Sequence, residues 1–156
     1  MVTGIGWDSH RLVEGRPLIL GGVRLEHDRG LEGWSDADVL THAVIDALLG
    51  AAGLGDIGEQ FPDTDPRFRG ADSLELLGSV LPLLGARAVV HVDATVLMER
   101  PTLGPHRDAM RANLATALGV LTERVNVKAS TGEGMGFVGR GEGVAALAVV
   151  TLGRTD

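Results

Sequence analysis

Strand-like and helix-like stretches alternate along this 156-residue chain, and that alternation constrains the fold more than any other feature. Residues 2–7 read as an apolar strand that runs straight into Asp8-Ser9-His10. Leu18–Leu20 and Val23–Leu25 flank Gly21-Gly22, a pair that suits a tight hairpin turn. Residues 28–34 read as a loop. A helix is expected over 36–52, opened by Ser35-x-x-Asp38 as a capping box and closed at Gly53. Asp36 and Asp38 then sit at the positive end of its dipole. Residues 71–85 read as a second helix, with Asp72 or Ser73 near its start and Pro82 distorting its last turn. A third starts at Pro105 and stops at Gly119. Residues 88–97, 124–129 and 144–152 are β-rich. This order predicts an α/β chain (an α+β two-layer sandwich), a mixed sheet with helices on one face. No repeat or linker divides it, so residues 1–156 are expected to form one domain. No helix remains to cover the other sheet face, which points to self-association.

Strand side chains alternate, so Asp8 and His10 share one face. Asp38, His42 and Asp46 are spaced four apart and line one stripe of the first expected helix. His42 reads either as a core histidine satisfied by aspartates or, with Asp8 and His10 on a neighbouring strand, as a third metal ligand. Two imidazoles and a carboxylate suit zinc or a similar divalent ion, and three protein ligands leave a position for substrate. Residues 55–70 carry Asp56, Asp63 and Asp65 among glycine, proline and phenylalanine. They read equally as a turn-rich loop and as a lid that binds sugar hydroxyls.

Lys128-Ala129-Ser130-Thr131-Gly132-Glu133 follows a strand. Its hydroxyls and amides suit phosphate oxygens, and Glu133 suits a second divalent ion. The order of a Walker loop is absent. Arg140-Gly141-Glu142-Gly143 reads as a surface turn or an interfacial ion pair. His27, His91 and His106 have no partners at ligand spacing, and Trp7 and Trp34 flank the expected site. Cysteine is absent and no Gly-x-Ser-x-Gly elbow occurs, so no protein nucleophile is expected. The net charge of -7 argues against nucleic acid and acidic membrane surfaces as partners. Aromatics at 3% leave little for base stacking. With no signal peptide or membrane span legible, a cytoplasmic location is expected.

Taken together, these segments closely resemble the 2-C-methyl-D-erythritol 2,4-cyclodiphosphate synthase family of the non-mevalonate isoprenoid pathway. The resemblance rests on Gly6-Trp7-Asp8-Ser9-His10-Arg11-Leu12, Leu20-Gly21-Gly22, Ser35-Asp36-Ala37-Asp38-Val39-Leu40-Thr41-His42-Ala43 and Asp46-Ala47-Leu48-Leu49-Gly50-Ala51. It continues through Leu54-Gly55-Asp56-Ile57-Gly58, Phe61-Pro62-Asp63-Thr64-Asp65, Gly70-Ala71-Asp72-Ser73, Val125-Asn126-Val127-Lys128-Ala129 and Gly136-Phe137-Val138-Gly139-Arg140-Gly141-Glu142-Gly143. These blocks span nearly the whole length in order.

The resemblance implies a homotrimeric lyase with active sites between subunits. It would convert 4-diphosphocytidyl-2-C-methyl-D-erythritol 2-phosphate to the cyclic diphosphate and CMP. Asp8, His10 and His42 would be the zinc ligands, Asp56, Gly58 and Asp63 would line the methylerythritol pocket, and Asp46, Ile57, Phe61 and Asp65 would also bind substrate. Arg100, Pro101, Thr102 and Pro105, with Ser130 and Thr131, would hold the cytidine and its phosphates. Glu133 would carry magnesium or manganese. Trp34, Ser35 and Thr131 would adjoin the transferring phosphate, and Phe137, Arg140 and Glu142 the threefold axis, where family members can bind isoprenoid diphosphates. Two positions depart: the family usually has histidine at Trp34 and lysine at Thr102. From the residues alone, a metal-dependent phosphohydrolase and a non-catalytic isoprenoid-diphosphate-binding trimer remain as alternatives.

Overall fold

The structure, a computed structural model, describes residues 1–155. Its main sheet has five strands: β1 (Val2–Glu14), β4 (Arg29–Leu31), β5 (Arg87–Leu97), β6 (Val125–Ser130) and β7 (Gly143–Arg154). The spatial order is β4-β1-β7-β5-β6. Only the β5–β6 pair is parallel; β1–β4, β1–β7 and β5–β7 are antiparallel. The hairpin β2 (Leu18–Leu20) and β3 (Val23–Leu25) stands apart from it. Gly21 and Gly22 take φ of 54° and 70°, a turn that side chains on Cβ disfavour. One face of the sheet carries the helices. α1 (Val39–Ala52) lies on β1 and β7, α3 (Ser73–Val80) packs on α1, and α4 (Arg107–Leu118) packs on β6 and α3. This is the expected two-layer arrangement of a mixed sheet and helices.

β1 is seated unusually close to α1, and two glycines allow it. A Cβ on Gly4 would stand 2.1 Å from the Ala47 carbonyl oxygen, and one on Gly6 would stand 2.0 Å from that of Ala43. Gly4, Gly6, Asp8 and His10 alternate onto the helix-facing side of β1. Leu40, Val44, Ile45, Leu48 and Leu49 of α1 are fully buried with Val144, Val150 and Leu152 of β7.

Several expectations need correcting. β1 continues through Glu14, and the expected loop at 28–34 contains β4, paired with Leu12–Glu14 of β1. Only Leu31 in β4 signals a strand; Gly30 is needed because a Cβ there would lie 2.1 Å from the Arg16 carbonyl oxygen. α1 starts at Val39, not near 36, because Ala37 is left-handed (φ 57°) and Asp38 is the cap, accepting from Thr41 N. The Ser35 hydroxyl accepts instead from Ala37 N, so no Ser35 capping box forms. Residues 55–70 include α2 (Ile57–Gln60) and a 3-10 turn, Pro66–Phe68. A short α5 (Gly136–Gly139) also went unpredicted; its glycines hide the helical period. Gly53 and Gly119 end their helices in the left-handed region, as expected.

Among the described residues, no helix covers the other face of the sheet. Ile5 (67% exposed) and Trp7 (53% exposed) stand beside Val149 and Leu147 in register, forming one apolar patch. Trp7 therefore points away from Asp8 and does not flank the site. No helix among the described residues is long and apolar enough to cross a membrane.

Candidate metal centre and its surrounding cavities

Asp8 and His10 on β1 meet His42 on α1, across the gap that Gly4 and Gly6 keep narrow. His10 Nε2 is 2.8 Å from Asp8 Oδ2, His42 Nδ1 is 3.0 Å from the same oxygen, and the two nitrogens are 3.2 Å apart. The opposite ring nitrogens fix the protons. His10 Nδ1 lies 2.7 Å from the Glu32 carbonyl oxygen, which can only accept, so this nitrogen carries hydrogen. The Ser73 hydroxyl donates to a carboxylate oxygen of Asp36, so at 2.8 Å from His42 Nε2 it must accept. Ser35 Oγ is 3.1 Å from that nitrogen as well.

In the neutral imidazoles, both lone pairs thus converge on a carboxylate oxygen. Three acceptors at these distances repel unless a proton or a cation stands among them. A tetrahedral ion with bonds of about 2.0–2.1 Å separates its ligand atoms by about 3.3 Å, close to what is found. Each histidine also turns its other N–H to a fixed acceptor, the usual support of metal-ligating imidazoles. The arrangement therefore fits a divalent ion. Without one, a proton substitutes. Burial pushes His10 down, but Asp8 outweighs it and leaves its pKa above the ordinary 6.5. Burial likewise pushes Asp8 up, yet the imidazoles of His10 and His42 against its carboxylate hold it at about 2.

All three ligands line a cavity of about 430 Å³. Trp34, Ser35, Ile57, Gly58, Phe61 and Asp63 line it too, together with Gly33, Pro62, Phe68 and Leu76, which were not singled out. Three aspartates of that set are already engaged. Asp46 accepts from Ile57 N at 3.1 Å, Asp56 caps α2 through Glu59 N, and Asp65 holds Arg67. None of the three lines the cavity. They hold its cover in shape. Asp38, from the same helical stripe, accepts from Gly21 N, Gly22 N and Thr41 and ties the hairpin to α1. The stripe therefore serves three different neighbours.

Arg100, Pro101, Thr102, Ser130 and Thr131 line a second cavity of about 430 Å³, while Pro105 belongs to the adjoining turn, Gly104–His106. No residue lines both cavities. Glu133, with φ of 53°, is exposed on the loop after β6. Glu99 fixes that loop by accepting from Gly132 N at 2.8 Å and Gly134 N at 3.1 Å. Glu133 joins no cluster of three ligating groups among the described residues, so an ion there would rely on oxygens from elsewhere. Phe137, Glu142 and Gly143 border a depression of about 160 Å³ with Ser9, His10 and Arg11. Arg140 reaches Glu142 at 3.4 Å beside it.

Sequence reading missed Asp36 and Ser73 as supports of His42, and Glu99. Ser73 and Asp36 are 37 residues apart, and each reads locally as a residue at a helix start.

Three convergent ligands that border an open cavity, on a mixed sheet backed by helices, define an α/β protein with a candidate metal centre. The YgbB family model matches residues 1–153, and the chain belongs to that family. A 2-C-methyl-D-erythritol 2,4-cyclodiphosphate synthase from Alkaliphilus metalliredigens is 55% identical over 99% of both chains. A solved structure of such a synthase with CDP bound superposes with a TM-score of 0.88 at 41% identity, covering 97% of this chain and 99% of that one. The bifunctional IspDF from Campylobacter jejuni superposes with a TM-score of 0.95 at 44% identity over 99% of this chain, which spans 42% of its length.

Proposed function

We propose that the chain acts, as one domain, as a 2-C-methyl-D-erythritol 2,4-cyclodiphosphate synthase. It converts 4-diphosphocytidyl-2-C-methyl-D-erythritol 2-phosphate to the cyclic diphosphate and CMP. The observation that carries this reading is the Asp8–His10–His42 centre opening into a cavity, in a chain 55% identical to a synthase over 99% of both. An oxygen of the 2-phosphate bonds to the β-phosphorus while the bond from that phosphorus to the CMP oxygen breaks. CMP leaves with that oxygen and its electron pair. The nucleophile is the substrate's own, in keeping with a chain that contains no cysteine and no serine elbow.

Zinc, held by Asp8, His10 and His42, and magnesium or manganese at Glu133 would supply positive charge to the phosphate oxygens. The protein's task is to fold a flexible substrate into the ring-closing pose, which removes entropy from the barrier. Ser35, Ile57, Gly58, Phe61 and Asp63, which line the metal cavity, would hold the methylerythritol end. Arg100, Pro101, Thr102, Ser130 and Thr131, which line the second cavity, would hold the nucleotide end, with Thr131 toward the transferring phosphate. The two cavities share no lining residue among those described, and on this reading the complete site would take one from each of two copies. A homotrimer closed over the Ile5–Trp7–Leu147–Val149 patch would supply that neighbour. Its axis would place Phe137, Arg140 and Glu142 where an isoprenoid diphosphate could bind. A soluble, cytoplasmic enzyme is the matching location.

Phosphorus NMR on the diphosphocytidyl substrate with both ions tests the reading. Two coupled resonances of a cyclic diphosphate, with CMP, are expected, and Glu133→Ala abolishes both while the assembly stays intact. Linear phosphates alone would mark a hydrolase. No turnover with tight isoprenoid diphosphate binding would mark a sensor.

A further inference from the structure

The cover of the metal cavity spans residues 55–70; its 3-10 turn buries no residue, and beyond the packing of Phe61 and Phe68 against the core it is held by specific contacts. At the near end the Asp46 carboxylate holds Ile57 N. At the far end three contacts converge on Trp34. The indole Nε1–H donates to the Asp65 carbonyl oxygen at 3.1 Å, and the Arg69 guanidinium lies 5.6 Å from the ring centroid. The Trp34 carbonyl oxygen accepts from Gly70 N at 2.8 Å. The turn between these points carries Phe68, packed edge-to-face on Phe61 at 5.3 Å, and both phenylalanines line the cavity with the metal ligands.

We propose that Trp34 is a positioning residue whose indole clamps the Asp65–Gly70 turn, so that the cavity is shaped before any ligand enters. Two of the three contacts are made by the side chain, one through its N–H and one through its π face, and both grip the same six residues. A main-chain contact alone would survive any substitution, so the side-chain share can be isolated. A pre-shaped cavity lowers the binding penalty of an ordering step, because apparent affinity scales with the fraction of molecules in the competent shape.

The test uses the intact protein loaded with metal, without ligand. Trp34→Phe keeps an aromatic face for Arg69 and removes the N–H; Trp34→Ala removes both. Tryptic cleavage after Arg67 and Arg69, and hydrogen exchange of the 65–70 amides, report the open population directly. We expect cleavage about 3-fold faster in Trp34→Phe and at least about 10-fold faster in Trp34→Ala, with metal affinity unchanged, since the indole does not touch the ligands. Wild-type cleavage and exchange in Trp34→Ala would overturn the clamp. So would loss of metal in step with faster cleavage, which would make Trp34 a support of the centre. A further readout rests on the proposed synthase reaction: Trp34→Phe raises KM by a larger factor than it lowers kcat. If turnover is absent altogether, cleavage and exchange still decide the clamp, and only the reaction reading fails.

Discussion

Ser73→Ala isolates the support of His42 from the ligand itself. The hydroxyl is fully buried and accepts from His42 Nε2 at 2.8 Å while donating to Asp36. Alanine removes the nearer acceptor and leaves no room for water to replace it. Ser35 Oγ, at 3.1 Å, still accepts, so the N–H is weakened rather than orphaned. A buried N–H that loses its better partner costs about 1–2 kcal/mol, and every 1.4 kcal/mol is about tenfold in affinity. We therefore expect zinc to bind about 5- to 30-fold more weakly, overlapping the usual range for supports of metal ligands. Competition with a chromophoric chelator measures this. Melting of the metal-free protein in excess chelator separates the loss from any general destabilisation. Ser35→Ala alone should cost only about 3-fold, since it removes the longer bond. The double variant should exceed the sum in free energy, because the last acceptor is then gone. Affinity for Ser73→Ala within about twofold of wild type, or a double variant no worse than the single, would refute the reasoning.

Two further outcomes follow from the same geometry. In the metal-free protein the raised pKa of His10 contributes stability that is present below its ordinary 6.5 and lost as pH rises through the folded value. The lowered pKa of Asp8 contributes stability present above 3.8 and lost as pH falls towards about 2. Melting temperature in chelator should therefore decline as pH rises above 6.5, whereas zinc affinity rises as the proton on His10 stops competing; a flat metal-free profile would contradict this. On the sheet face that no helix covers, Leu147→Glu should dissociate the assembly to monomers in sedimentation velocity without unfolding them, and a wild-type protein that sediments as a monomer would remove the interface from the proposal.

The parts of the fold legible in the sequence are those set by local rules. Gly21-Gly22 needs positive φ, Gly53 ends a helix, and Asp8-x-His10 places two side chains on one face by strand alternation alone. The parts that escaped depend on contacts across the chain. β4 exists because Leu12–Glu14 pairs with it, not because Arg29-Gly30-Leu31 favours a strand. Asp36 reads as a dipole partner of α1, yet its carboxylate holds Ser73 N and the Ser73 hydroxyl. Asp56 and Asp65 read equally as turn formers or as sugar ligands, and both cap turns. A local pattern can name a carboxylate and its neighbours in sequence, but not which distant amide it will meet.

The same limit explains why the metal centre forms where it does. Asp8 and His10 supply ligands only if α1 approaches β1 closely enough for His42 to reach them. That approach is set two and four residues earlier by absent side chains, since a Cβ on Gly6 would stand 2.0 Å from the Ala43 oxygen, next to His42 itself. Gly4 and Gly6 thus act on the ligands through helix position and touch none of them. Asp38 fixes the opposite end of the same helix by binding the Gly21-Gly22 turn, so α1 is located by two anchors with His42 between them. Ser73 and Asp36 then set the rotation of the imidazole within that fixed frame. Helix distance, helix end and ring orientation each come from a different set of residues, and the three ligands meet because all of them hold at once.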